Sequence, residues 1–170
     1  MNENKIERQV FTYPLLFRII FRYGNVIITF LLIVYSFPLA ANLDKDKILL
    51  IPLIITVLVI YFLNRHYLNL YKILPYKIVA DDEMLICSGF FLSKKEIIIR
   101  YENIESLSGG IFENKISGVM KVCDGKNGMC IGFYQRITNS SKLATIILSK
   151  VKRELYDEVL EKLIAKGKKD

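Results

Sequence analysis

Two long apolar runs, split by a short charged stretch, dominate the pattern along this chain. From Tyr23 to Leu43 no Asp, Glu, Lys, Arg or His occurs, and Val26-Ile27-Ile28-Thr29-Phe30-Leu31-Leu32-Ile33-Val34 forms the centre of the run. The second run, Ile48 to Asn64, follows Asn42-Leu43-Asp44-Lys45-Asp46-Lys47. A helix rises about 1.5 Å per residue, so about 20 residues cross a hydrocarbon core about 30 Å thick. The first run meets that length, and the second, at about 17 residues, reaches the lower end of the spanning range. Neither carries the polar stripe of a surface helix. A chain of 170 residues is too small to wrap such a pair in a soluble core. The pattern predicts a transmembrane hairpin over residues 23–64, with spans at 23–41 and 48–64. Pro38 and Pro52 lie close to its loop, where a missing N–H and a kink cost least.

The flanks mix aromatics with cations. Residues 1–22 read as a cytoplasmic or interfacial segment, with Arg18 and Arg22 four apart on one helical face. A longer, tilted helix with snorkelling arginines fits the same residues. The apolar run is too long for a secretory signal, and no small-residue cleavage site follows it in a suitable place. Residues 65–75 form a juxtamembrane linker with Arg65, His66, Tyr67, Tyr71 and Lys72. His66 is the only histidine; no carboxylate or cysteine stands at metal-ligand or acid–base spacing from it, so its expected role is structural.

From Pro75 onward the period shortens to that of strands. Tyr76–Ala80, Met84–Ser88, Lys95–Tyr101 and Asn103–Ser108 read as strands, the first two joined by Asp81-Asp82-Glu83. Gly118–Cys123 and Met129–Tyr134 flank Asp124-Gly125-Lys126-Asn127-Gly128, the clearest hairpin signal in the chain. Leu143, Ile147, Val151, Leu155 and Val159 then recur every four residues behind Thr138, Asn139 or Ser140 as a cap, predicting a C-terminal helix. The β-branched Thr145-Ile146-Ile147 leaves open a last strand before a shorter helix from about Lys150. Residues 76–166 are therefore expected to be one α+β domain, an antiparallel sheet packed on a helix, with a basic tail at 167–170.

Charge sets the expected topology. The net charge is +7, with six basic against four acidic residues up to 64 and eighteen against thirteen after it. Lys5, Arg8, Arg18 and Arg22 precede the first span and Arg65, Lys72 and Lys77 follow the second, against Lys45 and Lys47 in the loop. The positive-inside rule places both termini in the cytoplasm of a two-span cell-membrane protein. A basic domain suits an anionic leaflet, each nearby cation being worth about 1 kcal/mol. The basic residues are dispersed and match no nucleic-acid motif. The expected membrane-surface contacts are Arg18, Arg22, Arg65, Lys72, Lys94, Lys95, Lys150, Lys152 and Arg153.

Chemistry is sparse. Cys87, Cys123 and Cys130 are an odd set that argues against a disulfide framework. Cys123 and Cys130 face each other if the turn centres on Lys126-Asn127, and would bridge only in an oxidising compartment; they read as small buried apolar residues. Gly109-Gly110 and Gly125-x-x-Gly128 are turn glycines without a phosphate-binding Lys-Ser/Thr. No catalytic constellation, cofactor motif or metal set stands out, and no enzyme is expected.

The rhythm Tyr76-Lys77-Ile78, acidic turn, Leu85–Phe91, Glu96–Leu107 and Ile116–Val122 resembles that of bacterial pleckstrin-homology-like (PH-like) domain proteins carried behind paired membrane spans. The resemblance implies a small PH-like antiparallel sheet or partly open barrel capped by the C-terminal helix, and a binding or assembly module rather than an enzyme. Asp81-Asp82-Glu83 stands where phosphoinositide-binding relatives place cations, so phosphoinositide binding there is not expected. Some proteins of this build resemble immunity proteins against membrane-active bacteriocins, and others serve the cell envelope. The expected partners are the lipid bilayer and another membrane protein or a membrane-active peptide. The alternative is an accessory subunit of a larger, transporter-like membrane complex; neither span holds an ionisable residue for a midplane transport site of its own.

Overall fold

The structure, a computed structural model, describes residues 8–115 and 118–167. Lys5, Ile116, Ser117 and the tail residues Lys168 and Lys169 lie outside the described residues. The chain forms two compact units, Leu15–Lys72 and the segments on either side of it, up to Pro14 and from Ile73 onward.

The first unit is a pair of long helices, α1 (Leu15–Ala41) and α2 (Leu50–Ile73), joined through a short 3-10 turn at Lys47–Leu49. The Asp46 carboxylate opens that turn by accepting from the Ile48 N–H at 3.0 Å. Both helices outrun the apolar cores that announce them. α1 begins at Leu15, so Arg18 and Arg22 are helical, and α2 runs past Asn64 through Arg65 and Lys72. Pro38 is inside α1, while Pro52 falls in the first turn of α2, where a proline is tolerated better than in a helix interior. Both helices are long and apolar enough to cross a membrane.

Their surface is inverted relative to a water-soluble helix pair. Ile27, Phe30, Leu31, Phe37, Ile51, Ile55 and Phe62 are exposed, whereas Asn25 and Thr56 are buried. Asn25 Nδ2 donates to Asn64 Oδ1 at 2.9 Å, and Asn64 Nδ2 donates to Thr29 Oγ1 at 3.0 Å and to the Ile60 carbonyl at 2.9 Å. The Tyr71 hydroxyl donates to the Arg22 carbonyl at 3.3 Å. These bonds fix the pairing of the helices where apolar contact alone has no register.

Among the described residues the second unit holds seven strands in two antiparallel sheets. The first sheet runs in order β1 (Gln9–Thr12), β2 (Lys77–Ala80), β3 (Met84–Ser88) and β4 (Ile97–Arg100). The second runs β5 (Ile104–Ser108), β6 (Val119–Asp124) and β7 (Met129–Tyr134). Alternation sends every second side chain inward. Phe11, Ile78, Cys87 and Ile97 thus form one buried row across the first sheet, and Leu107, Val122 and Ile131 one across the second. Gly109, at φ +74, ends β5 where a Cβ would lie 2.2 Å from the Val119 carbonyl oxygen; only glycine allows that crossing.

Four expectations change here. The sheets are separate and do not close into a barrel. The segment before the helices, expected to be interfacial, supplies β1: Val10 pairs with Val79 and Phe11 with Ile78. The C-terminal helix is two, α3 (Ser140–Lys150) and α4 (Arg153–Gly167), because Val151 turns to an extended conformation at ψ 166°. Thr145-Ile146-Ile147 is helical, within α3, and Leu143, Ile147, Leu155 and Val159 from both helices are buried. Last, Cys123 and Cys130 form a disulfide, their Cα atoms 4.1 Å apart. Both are half-buried; the odd count hid a bridge and one free thiol, Cys87.

Candidate functional site

The β-unit has a polar cleft where three segments meet. Asp82 and Glu83 come from the β2–β3 turn, Arg100, Tyr101 and Glu102 from the end of β4, and Lys150 from the last turn of α3; together they line a cavity of about 440 Å³. The turn closes with the Asp81 N–H donating to the Met84 carbonyl at 3.0 Å, and Arg8 Nε holds Asp81 Oδ2 at 3.1 Å. The Tyr101 N–H donates to the Glu83 carbonyl at 3.1 Å.

Lys150 is the clamp of this cleft. Its ammonium donates to the Asp81 carbonyl at 3.2 Å, the Asp82 carbonyl at 2.9 Å and Asp82 Oδ1 at 3.1 Å, and stands 5.3 Å from the Tyr101 ring centre. A lysine with three donors so engaged is a structural tie between α3 and the first sheet. Arg100 and Glu102 approach to 3.6 Å on the open side, both well exposed. The Tyr101 hydroxyl is buried without a hydrogen-bond partner among the described residues. Burial pushes its pKa up, and Asp81, Cys87 and Asp82 add to the rise. The cleft offers paired positive and negative groups but no activated nucleophile; among the described residues no cluster of His, Cys, Asp and Glu suits a metal.

The other expected contact residues of this unit are scattered. Lys94 is exposed, and Lys95 lies over the Phe90 ring at 4.7 Å. Lys152 faces Glu105, Glu154 and Glu158 beside Ile104 and Leu155, and Arg153 reaches Asp157 at 4.0 Å.

In the helical unit the structure does gather the cations. The Arg22–Tyr71 and Asn25–Asn64 bonds bring the first turns of α1 beside the last turns of α2. Arg18, Arg22, Arg65 and Lys72 therefore share one end, with no carboxylate in either helix, while Lys45 and Lys47 at the loop are balanced by Asp44 and Asp46. Aromatic rings collect at the same end: Tyr67 lies 5.8 Å from Tyr71 and 5.9 Å from His66, and Arg22 stands 5.9 Å over Tyr23. His66 is thus one of a group of aromatic side chains.

Sequence reasoning missed Tyr13, Asn25, Asn64 and Tyr101. Asn25 and Asn64 were visible as amides inside or at the edge of apolar runs, a signal for an interhelical bond. Tyr13 and Tyr101 carried none, since the groups they meet, the Tyr134 N–H and the Lys150 ammonium over the Tyr101 ring, lie far along the chain. No known family model, no curated protein and no solved structure matches this chain.

Proposed function

We propose that this chain is a non-enzymatic, two-span membrane protein whose β-unit is a PH-like binding module held on the cytoplasmic side of the bilayer. The observation that carries the reading is the pairing of β1 with β2 across the helical unit, Gln9 opposite Ala80 and Thr12 opposite Lys77. A segment before the hairpin and a segment after it share one sheet, which supports placing both flanks on one side of a bilayer that the helices cross as a pair. Four cations at the flanking end against a charge-balanced loop favour the cytoplasm for that side. Seven strands split four and three, followed by C-terminal helices, suit a PH-like fold.

On the cytoplasmic side the Cys123–Cys130 pair meets a reducing pool. There Cys123 and Cys130 would stand as two thiols, so on this reading the bridge belongs to the oxidised protein. The polar cleft, with paired charges and no reactive group, suits recognition of a peptide or protein rather than turnover.

Two assays test the function. A host sensitive to cationic membrane-active peptides, expressing the full chain or its R100Q/E102Q variant, is challenged with a peptide panel, and the full chain is purified in mild detergent. Protection against one or a few peptides, lost in the variant, identifies a peptide partner. A stoichiometric membrane protein that co-purifies, again lost in the variant, identifies an assembly role. Neither result in a well-expressed, membrane-inserted protein overturns the binding-module reading.

A further inference from the structure

The end of α2 carries a second feature that the β-unit does not explain. Ile60, Tyr61, Asn64, Arg65, Leu68, Asn69 and Lys72 line an open concavity of about 550 Å³. They recur at helical spacing along one side of the helix, apolar toward Ile60 and basic toward Lys72, over about 18 Å at 1.5 Å per residue. Side chains on a helix incline toward its N-terminus. At this end of α2 that direction leads back toward the apolar run, and Arg65 follows it: Nη1 donates to the Tyr61 hydroxyl at 2.9 Å. The arginine is thereby held down against the helix instead of extending outward to water.

A guanidinium has five N–H donors, and the Tyr61 oxygen takes one. Among the described residues Arg65 has no carboxylate partner, and the sequence holds no Asp or Glu from Lys47 to Ala80. A charge kept at the edge of hydrocarbon needs a counter-anion. We propose that this groove binds one anionic phospholipid, its phosphate on Arg65 with Lys72 beside it and its acyl chain running along Ile60 toward the apolar run. The proposal rests on the membrane reading above. Arginine recognises phosphate oxygens bidentately, and the polar Asn69 lies between the two cations, on the headgroup side of the phosphate. A zwitterionic headgroup would bring its ammonium against Lys72, so the site discriminates for net negative charge. Free phosphate would leave the apolar half of the groove empty, which is why a lipid is the occupant.

The test uses the full-length protein purified in mild detergent, titrated with phosphatidylglycerol or phosphatidylcholine and read by native mass spectrometry. One phosphatidylglycerol is expected to stay bound, with phosphatidylcholine and glycerol phosphate each at least about tenfold weaker, as loss of charge-assisted hydrogen bonds implies. R65Q/K72Q is expected to lose that preference, Tyr61→Phe to weaken it a few-fold by about one neutral hydrogen bond, and Lys126→Gln, in an exposed turn of the β-unit, to leave it unchanged. Equal retention of both lipids, or full retention in R65Q/K72Q, overturns the site. Displacement by stoichiometric glycerol phosphate overturns the lipid occupant. Membranes washed with alkaline carbonate separate the two levels of the argument. Release of the wild-type chain defeats the membrane reading and the site with it, whereas retention without lipid selectivity defeats the site alone.

Discussion

Tyr13 and Tyr101 are both buried in the β-unit, yet their hydroxyls stand in opposite circumstances. The Tyr13 oxygen accepts the Tyr134 N–H at 2.8 Å, tying the chain before the hairpin to β7. The Tyr101 hydroxyl has no such bond. Removing a partner from a buried donor costs about 1–3 kcal/mol, whereas deleting an unsatisfied hydroxyl recovers part of its desolvation. Tyr13→Phe is therefore expected to lower stability by about 1–2 kcal/mol, and Tyr101→Phe to leave it unchanged or raise it by about 1 kcal/mol. Thermal unfolding of the detergent-solubilised protein, followed by near-ultraviolet dichroism, checks both. Burial also pushes the Cys87 thiol up to about 12 from 9.0 and raises Tyr13 and Tyr101 above 10.0. In alkali the unfolded chain then loses protons that the folded chain keeps, so stability falls with pH. The melting temperature should hold up to about pH 9 and decline above it as unfolded-state cysteine and tyrosine ionise. A flat profile through that window would contradict the burial of these groups.

At the scale of elements, the β6–β7 hairpin was the most legible part of the chain, because Asp-Gly and Asn-Gly signals are local. Asp124 is nearly fully buried; its Oδ1 accepts the Lys126 N–H at 2.9 Å and the Asn127 N–H at 3.3 Å, and Oδ2 accepts Asn127 Nδ2 at 2.7 Å. Asp124→Ala is expected to cost about 2–3 kcal/mol, since bonds to a charged acceptor are the stronger kind. Reducing the neighbouring Cys123–Cys130 bridge removes the constraint on a loop with sequence separation 7, worth about 2 kcal/mol in the chain-entropy model. Urea titrations with and without a reductant measure that difference directly. In the helix pair, Asn64→Leu breaks the bonds to Asn25 and Thr29 and should weaken helix association by about 1–2 kcal/mol. β1 was illegible for the opposite reason to the β-hairpin. Four residues within an aromatic, arginine-bearing stretch that leads into a long apolar run look like part of that interfacial lead-in, and their partner, β2, is reached only after both helices. The break at Val151 was half legible. The β-branched Thr145-Ile146-Ile147 pointed to a shorter helix from about Lys150, but as a strand before it, and the four-residue repeat of buried side chains continues through the break from Ile147 to Leu155 and Val159.

At the scale of the whole molecule, the chain is a β-unit interrupted by a helical hairpin rather than a hairpin with a domain attached behind it. A truncation ending near Lys72 would leave β1 without β2, so the hairpin alone is no clean control for the β-unit; point variants are needed. The apolar runs were plain in the sequence because hydrocarbon demands about 20 residues of one kind. The sites were not, since Lys150 meets Asp82 and Arg65 meets Tyr61 only once helices and turns are placed. The central claim is that both flanks of the hairpin lie in the cytoplasm and its loop lies outside. It is tested most directly by labelling intact cells with an impermeant maleimide in a C123S/C130S background, with Cys87 buried and unreactive. Asp44→Cys in the loop should label at once, and Lys94→Cys in the β-unit only after the membrane is permeabilised. Labelling of Lys94→Cys on intact cells, or protection of Asp44→Cys, would contradict the account.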